Sequence, residues 1–419
     1  MVKTIYGYPH PVDNKNAGIE VRQQHEMTTD ELFLLSQAGL DAYAPLEAWT
    51  ALGTNAQINY STHSIFRYFG KFPSTIATHL IMEYTEEFDT VMDPMCGSGT
   101  TVLESLLSNR DCHAYDVNPL SLLLAKVKST HIDKQRLEET FDLIIQQYRP
   151  LSLREFDWQP TGIRDIDHWF LPETQNSIRG LIFLINRIRD DEVRDFFSVC
   201  LAASIRLVSK ATTQQGRLFL DVATAKMDCL ETFKEKAKKA IVTVSALPDK
   251  KADLTVSAHN AGEPFDFEAV NDLIIIHPPY FNSYKYSSIN SLELAWMQVD
   301  HATVRKNEVR EFFKVGKAEK VSYYVDDMYS ILANTAATLK PGGVMALMIG
   351  DTIIKGEYIP TTRSLLDRFL AGYPQIAVEK IVLRVPKYTE ASWSASQRRK
   401  GDKVGIRLND FIVIFRRGV

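Results

Sequence analysis

One short stretch of the chain constrains the fold more than any other. An apolar strand is predicted from Phe88 to Met92, and a turn rich in glycine and serine follows from Asp93 to Thr100. A helix is predicted from Thr101 to Leu107, and a second strand from Cys112 to Tyr115 ends at Asp116. Strand, glycine-rich turn, helix, strand and acid, in this order, are the opening unit of a nucleotide-binding, doubly wound α/β sheet.

The turn itself reads DPMCGSGT and places two glycines where a strand gives way to a helix. Backbone amides approach a ligand closely at such a position. The turn is not the Gly-x-Gly-x-x-Gly of dinucleotide sites, because Thr100 and Thr101 follow Gly99 and no third glycine admits a pyrophosphate. We therefore predict a cofactor without a phosphate, with Asp116 accepting hydrogen bonds from both ribose hydroxyls. A tight loop without a ligand is the alternative for such a turn considered alone.

A second turn, His277-Pro278-Pro279-Tyr280, follows a strand predicted from Asp272 to Ile276. Its two prolines fix the backbone and remove two amide donors, which leaves carbonyl oxygens directed outward. The amino group of a base is conjugated and weakly nucleophilic, so acceptors for its protons help it to attack a methyl donor. The Pro278 carbonyl and His277 are the candidate acceptors, and Tyr280 offers an aromatic face to a base swung out of the stack. A rigid turn or a proline-rich ligand motif is the alternative.

The remaining pattern divides the chain. Residues 1–60 are polar and weakly patterned, with a short helix predicted from Asp30 to Ala38, and indicate an N-terminal extension. Residues 122–250 show mainly helical periodicity and are interpreted as an insertion. A later helix is predicted to stop at Lys340–Gly343. The last two strands are predicted to form an antiparallel hairpin at the sheet edge, with bounds Val378–Val385 and Asp410–Phe415.

Composition adds limits rather than a function. The 419 residues are 45% hydrophobic and carry a net charge of -4, which is typical of a soluble globular protein and gives no overall attraction to nucleic acid. No secretory signal and no apolar run of about 18 residues is found, so we expect a cytoplasmic protein without a membrane segment. Two local basic clusters are candidate nucleic-acid contacts or simply solvated faces. They comprise Arg398, Arg399, Lys400 and Lys403, and Arg305, Lys306, Arg310, Lys314, Lys317 and Lys320.

Two further residue classes are assigned structural roles. The four cysteines are widely spaced and lack the pairing of zinc or redox motifs, so we predict reduced, mostly buried thiols and no metal. Trp169, Phe170 and Trp296 are predicted to pack in cores rather than stack on bases.

Lys285 and Tyr286, just past the second turn, either contact an extruded strand or belong to a solvated loop.

These motifs together resemble the amino-methylating DNA methyltransferases of restriction and modification systems. The matching stretches are DPMCGSGT with YDVNP after it, HPPYFNSYKYS with SLELAW after it, and LKPGG opening the strand to MIGD. HSIFRYFGKFPSTIATHLI resembles the additional cofactor motif of that family. The resemblance covers roughly residues 61–120 and 270–415. The cofactor motifs come first, as in one permuted class of the family, so the helical segment between them is the leading candidate for DNA contacts.

The resemblance implies S-adenosylmethionine as cofactor and double-stranded DNA as partner, with a restriction or defence-system protein as a further partner. It implies a Rossmann-like, seven-stranded, mostly parallel methyltransferase sheet with a C-terminal antiparallel hairpin and a helical insertion. The catalytic domain would comprise residues 61–121 and 251–419.

The resemblance also implies roles for single residues. Those expected to hold the cofactor are Lys71, Phe72, Pro73, Asp93, Pro94, Met95, Gly97, Gly99, Thr100 and Asp116, and those around the target base are His277, Pro278, Pro279 and Tyr280. One position departs from the family, whose tetrapeptide usually begins with Ser, Asp or Asn. A neutral His277 accepts a hydrogen bond, whereas a protonated one does not.

Three alternatives stay open. The sequence after the tetrapeptide is closer to cytosine-N4 than to adenine-N6 members, which favours cytosine-N4 without deciding it. Similar turns occur in RNA guanine-N2 and adenine methyltransferases, although about 60 weakly patterned residues are short for a separate RNA-binding module. His277 is the sequence feature that supports a catalytically silent DNA-recognition subunit.

Overall fold

The computed structural model describes residues 4–7, 18–43, 45–212, 218–221, 227–248, 252–267, 269–281, 286–310, 320–354, 357–385 and 410–419. Lys285, Lys314, Lys317 and the basic cluster at 398–403 lie outside the described residues. The strands are β1 Thr4–Gly7, β2 Gly18–Gln23, β3 Leu46–Leu52, β4 Thr90–Asp93, β5 Asp111–Asp116, β6 Leu254–Ala258, β7 Asn271–Ile276, β8 Leu339–Gly350, β9 Thr352–Ile354, β10 Glu357–Ile359, β11 Ile376–Arg384 and β12 Asp410–Arg417. The helices are α1 Thr29–Gln37, α2 Asn55–Ile58, α3 Ser74–Tyr84, α4 Thr100–Leu107, α5 Pro119–Lys128, α6 Lys134–Gln147, α7 Ile166–Trp169, α8 Pro172–Ile185, α9 Asp191–Val208, α10 Cys229–Val244, α11 Tyr286–Ile289, α12 Ser291–Trp296, α13 His301–Asn307, α14 Val321–Ala337 and α15 Thr361–Gly372.

A ten-stranded sheet organises these elements, in the order β1-β2-β3-β11-β12-β8-β7-β4-β5-β6. Strands β8, β7, β4, β5 and β6 pair in parallel, and β12 is antiparallel to both β8 and β11. The seven strands from β6 to β11 form the predicted mostly parallel sheet with its antiparallel hairpin, so the predicted α/β fold class is confirmed.

The N-terminal residues enlarge this sheet, which the sequence pattern did not predict. β3 pairs in parallel with β11 and antiparallel with β2, and β2 pairs with β1. The predicted place of the C-terminal hairpin at the sheet edge is therefore wrong, because β3 covers β11. β3 has neighbours on both sides and buries Leu46 to Thr50 in succession, so it lacks the alternation that marks a half-exposed strand.

Strand β8 shows how the sheet is buried on both faces. Met345, Leu347 and Ile349 join the core beneath α1, α14 and α15, whereas Ala346 and Met348 join the core beneath α3. β8 also contains the Lys340–Gly343 segment that was predicted to terminate a helix. α14 ends earlier, at Ala337, and the positive φ of Gly342 (80°) occurs within the strand, next to a register shift against β7.

The helices α6 to α10 form a second apolar core with α5 and α12. Phe170 and Trp296 are buried in it and Trp169 packs against it, as predicted. All four cysteines are buried, as predicted, and none of them is paired in a disulfide in the structure. Among the described residues, no helix is long and apolar enough to cross a membrane, and no group of three His, Cys, Asp or Glu side chains is arranged to hold a metal ion.

Candidate active site

The two turns singled out in the sequence open on the same edge of the sheet. β4 and β7 are parallel neighbours, with Val91 opposite Leu273, so the residues after Asp93 and after Ile276 leave the sheet side by side. Ligands of open α/β sheets bind at this carboxyl edge. A cleft that is open to solvent lies there and is lined by residues of both turns.

The glycine turn is fixed by the acid at the end of β5. The Gly97 N–H donates to Asp116 Oδ2 at 2.9 Å, and the Asn118 N–H donates to Oδ1 at 2.8 Å. The Cys96 N–H donates to the Tyr115 carbonyl at 2.8 Å. Gly97 has a φ of 49°, which L side chains rarely adopt, so glycine serves the turn here. The backbone of the turn therefore forms one wall of the cleft.

Gly99 does not line the cleft; its role is to let α4 pack closely against α5. It precedes α4 with a φ of 77°, and a Cβ atom there would lie 2.6 Å from the Cα of Ala125. Only a residue without a side chain lets the start of α4 approach α5 so closely. Because α5 follows Asp116 and Asn118, this contact keeps the glycine turn and the end of β5 in register.

Acidic groups dominate the charge of the cleft. Burial raises the pKa of Asp93 to about 7 and that of Asp116 to about 6, and it also raises the pKa of Glu308. Lys71 is the lysine of the lining; its ammonium donates to the His63 carbonyl at 3.0 Å, and burial lowers its pKa to about 8. This set suits a ligand that carries positive charge and one carboxylate better than it suits a phosphate.

Two buried polar atoms of the lining are consistent with a ligand. Ser98 Oγ and Asn118 Nδ2 have no hydrogen-bond partner within the described part of the chain, and both residues are at most 3% exposed. Buried polar atoms are rarely left without a partner. The residues present therefore fit a polar, cationic nucleoside such as S-adenosylmethionine, with Asp116 for the ribose and the carboxyl groups near its positive charges.

The second turn is held by contacts on both sides. Tyr324 donates its hydroxyl proton to the Pro279 carbonyl at 3.0 Å. His277 Nε2 lies 3.2 Å from the Tyr280 hydroxyl, and its ring meets that of Phe72 edge-on at 5.1 Å. Phe72 thus connects the Lys71–Pro73 segment, expected beside the cofactor, to the first residue of the tetrapeptide.

The cleft brings together most of the predicted residues. Those that line it are Lys71, Phe72, Asp93, Pro94, Met95, Gly97, Thr100, Asp116, His277 and Pro279, and those outside the lining are Pro73, Gly99, Pro278 and Tyr280. Tyr280 instead packs on Gly350, where a Cβ atom would lie 3.1 Å from its ring.

Several lining residues were not predicted from the sequence. His259 and Asn260 directly follow β6 at the carboxyl edge of the sheet, and this position after a strand is the signal that could have found them. Tyr68 and Tyr286 stack at 6.1 Å between ring centroids and form a further wall, with the Tyr286 hydroxyl against Gly70. Glu308 comes from the end of α13, and no sequence pattern marks it. Tyr286 is the exception, because the sequence had singled it out as either a contact to an extruded strand or part of a solvated loop, and it lines the cleft.

A buried carboxylate holds the segment that carries Tyr68 and Lys71 in place. Glu104 on α4 is fully buried and accepts hydrogen bonds from the Tyr60 hydroxyl at 2.5 Å and the Thr78 hydroxyl at 2.7 Å. His63 Nε2 lies 2.7 Å from the same carboxylate, and burial lowers the pKa of His63 to about 4. A neutral His63 therefore donates a hydrogen bond to Glu104. Through these contacts α4, the helix after the glycine turn, holds the segment that carries Tyr68 and Lys71.

The predicted basic run is partly neutralised. Arg310 forms an ion pair with Asp327, and Arg305 pairs with Glu308 at 3.5 Å. The charges of these two arginines are therefore partly balanced by neighbouring carboxylates.

Comparison with known proteins finds a family match for one part of the chain. Residues 20–126 match the model of the N6/N4 methyltransferases, described as DNA methylase. This match runs from β2 through α5 and contains the glycine turn, Asp116 and the segment anchored by Glu104. These 107 of the 419 residues are similar to the DNA methylase family. The cofactor of this family of methyltransferases is S-adenosylmethionine, in agreement with the fit of the cleft.

The relatives found by sequence are distant. Type II methyltransferase M.MvaI of Kocuria varians is 21% identical over 312 residues, which cover 66% of this chain and 67% of that protein. Type II methyltransferase M.BsoBI of Geobacillus stearothermophilus is 25% identical over 286 residues, which cover 60% of this chain and 55% of that protein. The match therefore spans little more than half of the second relative. Among solved structures, TrmN from Thermus thermophilus has a TM-score of 0.33 and 12% identity, covering 88% of this chain and 57% of that chain.

Proposed function

We propose that this chain transfers a methyl group from S-adenosylmethionine to an exocyclic amino group of a base in double-stranded DNA. The observation that carries the proposal is the shared cleft, in which the Gly97 turn and the residues His277 and Pro279 face one space. A base inside a duplex cannot reach such a cleft, so the target nucleotide leaves the stack. When bound, S-adenosylmethionine supplies a methyl group on a positively charged sulfur.

The chain itself orients the amino group and handles its proton. The Pro278 carbonyl and the His277 side chain accept the amino protons, while Tyr324 keeps the neighbouring Pro279 carbonyl in place. As the nitrogen bonds to the methyl carbon, the bond from that carbon to sulfur would break, and the sulfur would leave with the electron pair as a neutral thioether. The proton that the nitrogen loses would pass to the neutral imidazole of His277. Tyr280 lies outside the lining of the cleft and acts through its contact with His277, which fixes the orientation of the imidazole ring.

Cytosine-N4 is the position that we propose, because the sequence after the tetrapeptide, YFNSYKYS and then LELAW, resembles the cytosine-N4 members more closely. We propose residues 61–121 and 251–419 as the methyltransferase domain and the helical residues 122–250 as the main DNA-contact region. Recognition of one DNA sequence, and a partner nuclease or defence protein, belong to the same proposal.

The test is transfer of a labelled methyl group. Purified protein with radiolabelled cofactor is expected to mark duplex DNA, and nucleoside analysis is expected to find N4-methylcytosine. Pro279→Ala and Tyr280→Ala are expected to abolish labelling while circular dichroism shows a folded protein. Tyr323→Ala, which removes an exposed tyrosine outside the lining, is the matched control and should label normally.

Other outcomes discriminate among the alternatives. N6-methyladenine would change the target base but keep the site. Preferential labelling of transfer or ribosomal RNA would replace DNA as the substrate. Tight cofactor binding without turnover on any nucleic acid would favour a silent recognition subunit, and unchanged labelling by the Pro279 and Tyr280 variants would refute the site.

A further inference from the structure

A second cavity lies within the helical part of the fold. Its volume is about 200 Å³, and its lining shares no residue with that of the cleft. The walls come from α5, α8, α9 and α12 and from Trp158, which lies between α6 and α7. Aliphatic side chains form most of these walls, among them Leu123, Ile182, Ile185, Leu201 and Ile205. Because an apolar cavity of about 150 Å³ takes up one aromatic ring, this cavity has room for more than a single water molecule.

Two polar atoms interrupt the apolar lining. Glu293 Oε2 and Trp296 Nε1 have no hydrogen-bond partner within the described residues, although each of the two residues is only 3% exposed. They lie three positions apart on α12, a spacing that places side chains on one face of a helix. Buried polar atoms are rarely left without a partner. An acceptor and a donor side by side therefore indicate a ligand that supplies a donor and an acceptor in return.

The indole of Trp296 is held in one orientation. Phe170 meets it edge-on at 5.7 Å between ring centroids, and the guanidinium carbon of Arg179 lies 5.8 Å from its centroid. The neighbouring wall is fixed as well, since Trp158 donates its indole N–H to the Trp296 carbonyl at 3.0 Å. The Trp296 N–H is therefore a preorganised donor, which reduces the entropy that a ligand loses on binding.

The charges of the lining favour an uncharged ligand. Burial raises the pKa of Glu293 to about 7, and Asp195, which pairs with Lys126 at 2.6 Å, is the other charged residue of the lining. Two acidic groups oppose a phosphate, and one buried carboxyl among aliphatic walls offers too few oxygen atoms for a metal ion. Asn186 is exposed and Ser198 is partly exposed, so the cavity opens to solvent on their side.

We propose that this cavity is a second nucleobase site, in which the edge of one base donates an N–H to Glu293 and accepts the N–H of Trp296. A base is a flat ring that fits between apolar walls, and its edge carries N–H donors next to acceptors. The base comes from a free nucleoside or from bound DNA, which present the same chemistry. The inference goes beyond the proposed methyl transfer and does not depend on it, because the cavity and the cleft are separate.

The experiment follows the fluorine resonance of Trp296 in the full chain, whose five tryptophans are replaced by 5-fluorotryptophan. Trp296→Phe assigns the resonance, and excess S-adenosylhomocysteine occupies the cofactor cleft. The probes are deoxycytidine, deoxyguanosine, deoxyadenosine and thymidine in one arm and a short DNA duplex in the other. Saturable movement of the Trp296 resonance by a nucleoside identifies a free nucleoside as ligand, and movement by the duplex alone identifies a base of DNA. The resonance of Trp49, buried on β3, should not move.

A control ligand and a variant test the two hydrogen bonds. 3-Methylthymidine has no N–H on its ring and should leave the Trp296 resonance in place. Glu293→Gln removes the charged acceptor and keeps the side-chain shape, so it should raise the dissociation constant of the bound probe about tenfold. Glu86→Gln is the matched control and should bind as the wild type does, since Glu86 is exposed and precedes β4, at the opposite edge of the sheet from the cleft.

The outcomes separate this inference from the proposed function. A Trp296 resonance that no probe moves would leave water as the occupant of the cavity and overturn the inference, whether or not the variant folds. An unchanged dissociation constant in a folded Glu293→Gln protein would also overturn it. Movement of the resonance without methylation of any nucleic acid would refute only the proposed function, and methylation without movement would refute only this inference.

Discussion

The Gly97 N–H donates a hydrogen bond to Asp116 Oδ2 across 2.9 Å, which ties the glycine turn to the residue predicted to hold the ribose. The other carboxylate oxygen accepts from the Asn118 N–H. An ionised carboxylate offers about four acceptor sites, so both oxygens keep capacity for a ligand. The Asp116 side chain therefore holds the glycine turn in position and also lines the cleft in which the cofactor is expected.

Cofactor binding is expected to depend on pH through Asp116. Burial raises its pKa to about 6, and protonation removes acceptor capacity for the ribose hydroxyls. The dissociation constant measured by calorimetry should rise as pH falls through about 6, approaching tenfold per pH unit. Asp116→Asn should bind more weakly and with a smaller pH dependence, the remainder reflecting Asp93 with its pKa of about 7. An identical pH profile in both proteins would contradict this assignment.

Ionisation of Asp116 is expected to strengthen cofactor binding but to lower the free energy of unfolding of the cofactor-free protein. The pKa of Asp116 is higher in the fold than its ordinary value of 3.8, so the folded protein binds this proton more tightly. The Asp116 contribution to the free energy of unfolding should therefore fall as pH rises from about 4 to about 6. Urea unfolding of the cofactor-free wild type and Asp116→Asn, compared across this range, checks the sign. The variant should gain stability relative to the wild type at the upper end.

Gly99→Ala is expected to destabilise the fold and weaken cofactor binding. The left-handed φ costs about 1–3 kcal/mol for a residue with a side chain, and the contact at 2.6 Å with Ala125 adds a clash between α4 and α5. Gly342→Ala is the matched control, since Gly342 has a φ of 80° but its added Cβ would meet only Val419 at 4.0 Å. Thermal unfolding should show a clearly larger loss for Gly99→Ala. Equal losses would mean that the close helix approach has no energetic weight.

Tyr324→Phe is expected to lower kcat while leaving the cofactor dissociation constant unchanged. The hydroxyl of Tyr324 orients the Pro279 carbonyl and lies outside the cleft lining. Loss of this hydrogen bond should cost about 1 kcal/mol of unfolding free energy. Tyr329→Phe on the same helix is the control and should keep kcat, the cofactor dissociation constant and the stability close to those of the wild type. A fall in cofactor affinity as large as that in kcat would argue against a role limited to the catalytic turn.

Glu104→Gln is expected to lower the free energy of unfolding by about 2 kcal/mol, because an amide group replaces an acceptor surrounded by donors. Tyr60, Thr78 and His63 would then face a side chain with one oxygen instead of two. Cofactor affinity should fall with it, since the same segment leads to Lys71. Urea unfolding and calorimetry measure both effects, and Glu139→Gln, at an exposed position on α6, should change neither.

The local sequence pattern was sufficient to predict the strands and turns that carry the candidate site. Each chemical motif lies where a buried strand ends, since the glycine turn follows β4 and the proline turn follows β7. The predicted helix before Lys340 ended too late, because Leu339–Gly350 forms one long strand. The N-terminal strands were missed because β3 is buried along most of its length and carries no alternation.

The sequence by itself determined the order strand, glycine turn, helix, strand, acid and the proline turn, because these depend on backbone conformations that neighbouring residues dictate. Tertiary structure decided which side chains share the cleft. Parallel pairing of β4 with β7 brings together residues about 180 positions apart, and packing of α13 adds Glu308. Pairing and packing are set by burial of surfaces from distant segments, a non-local energy that short-range pattern does not contain.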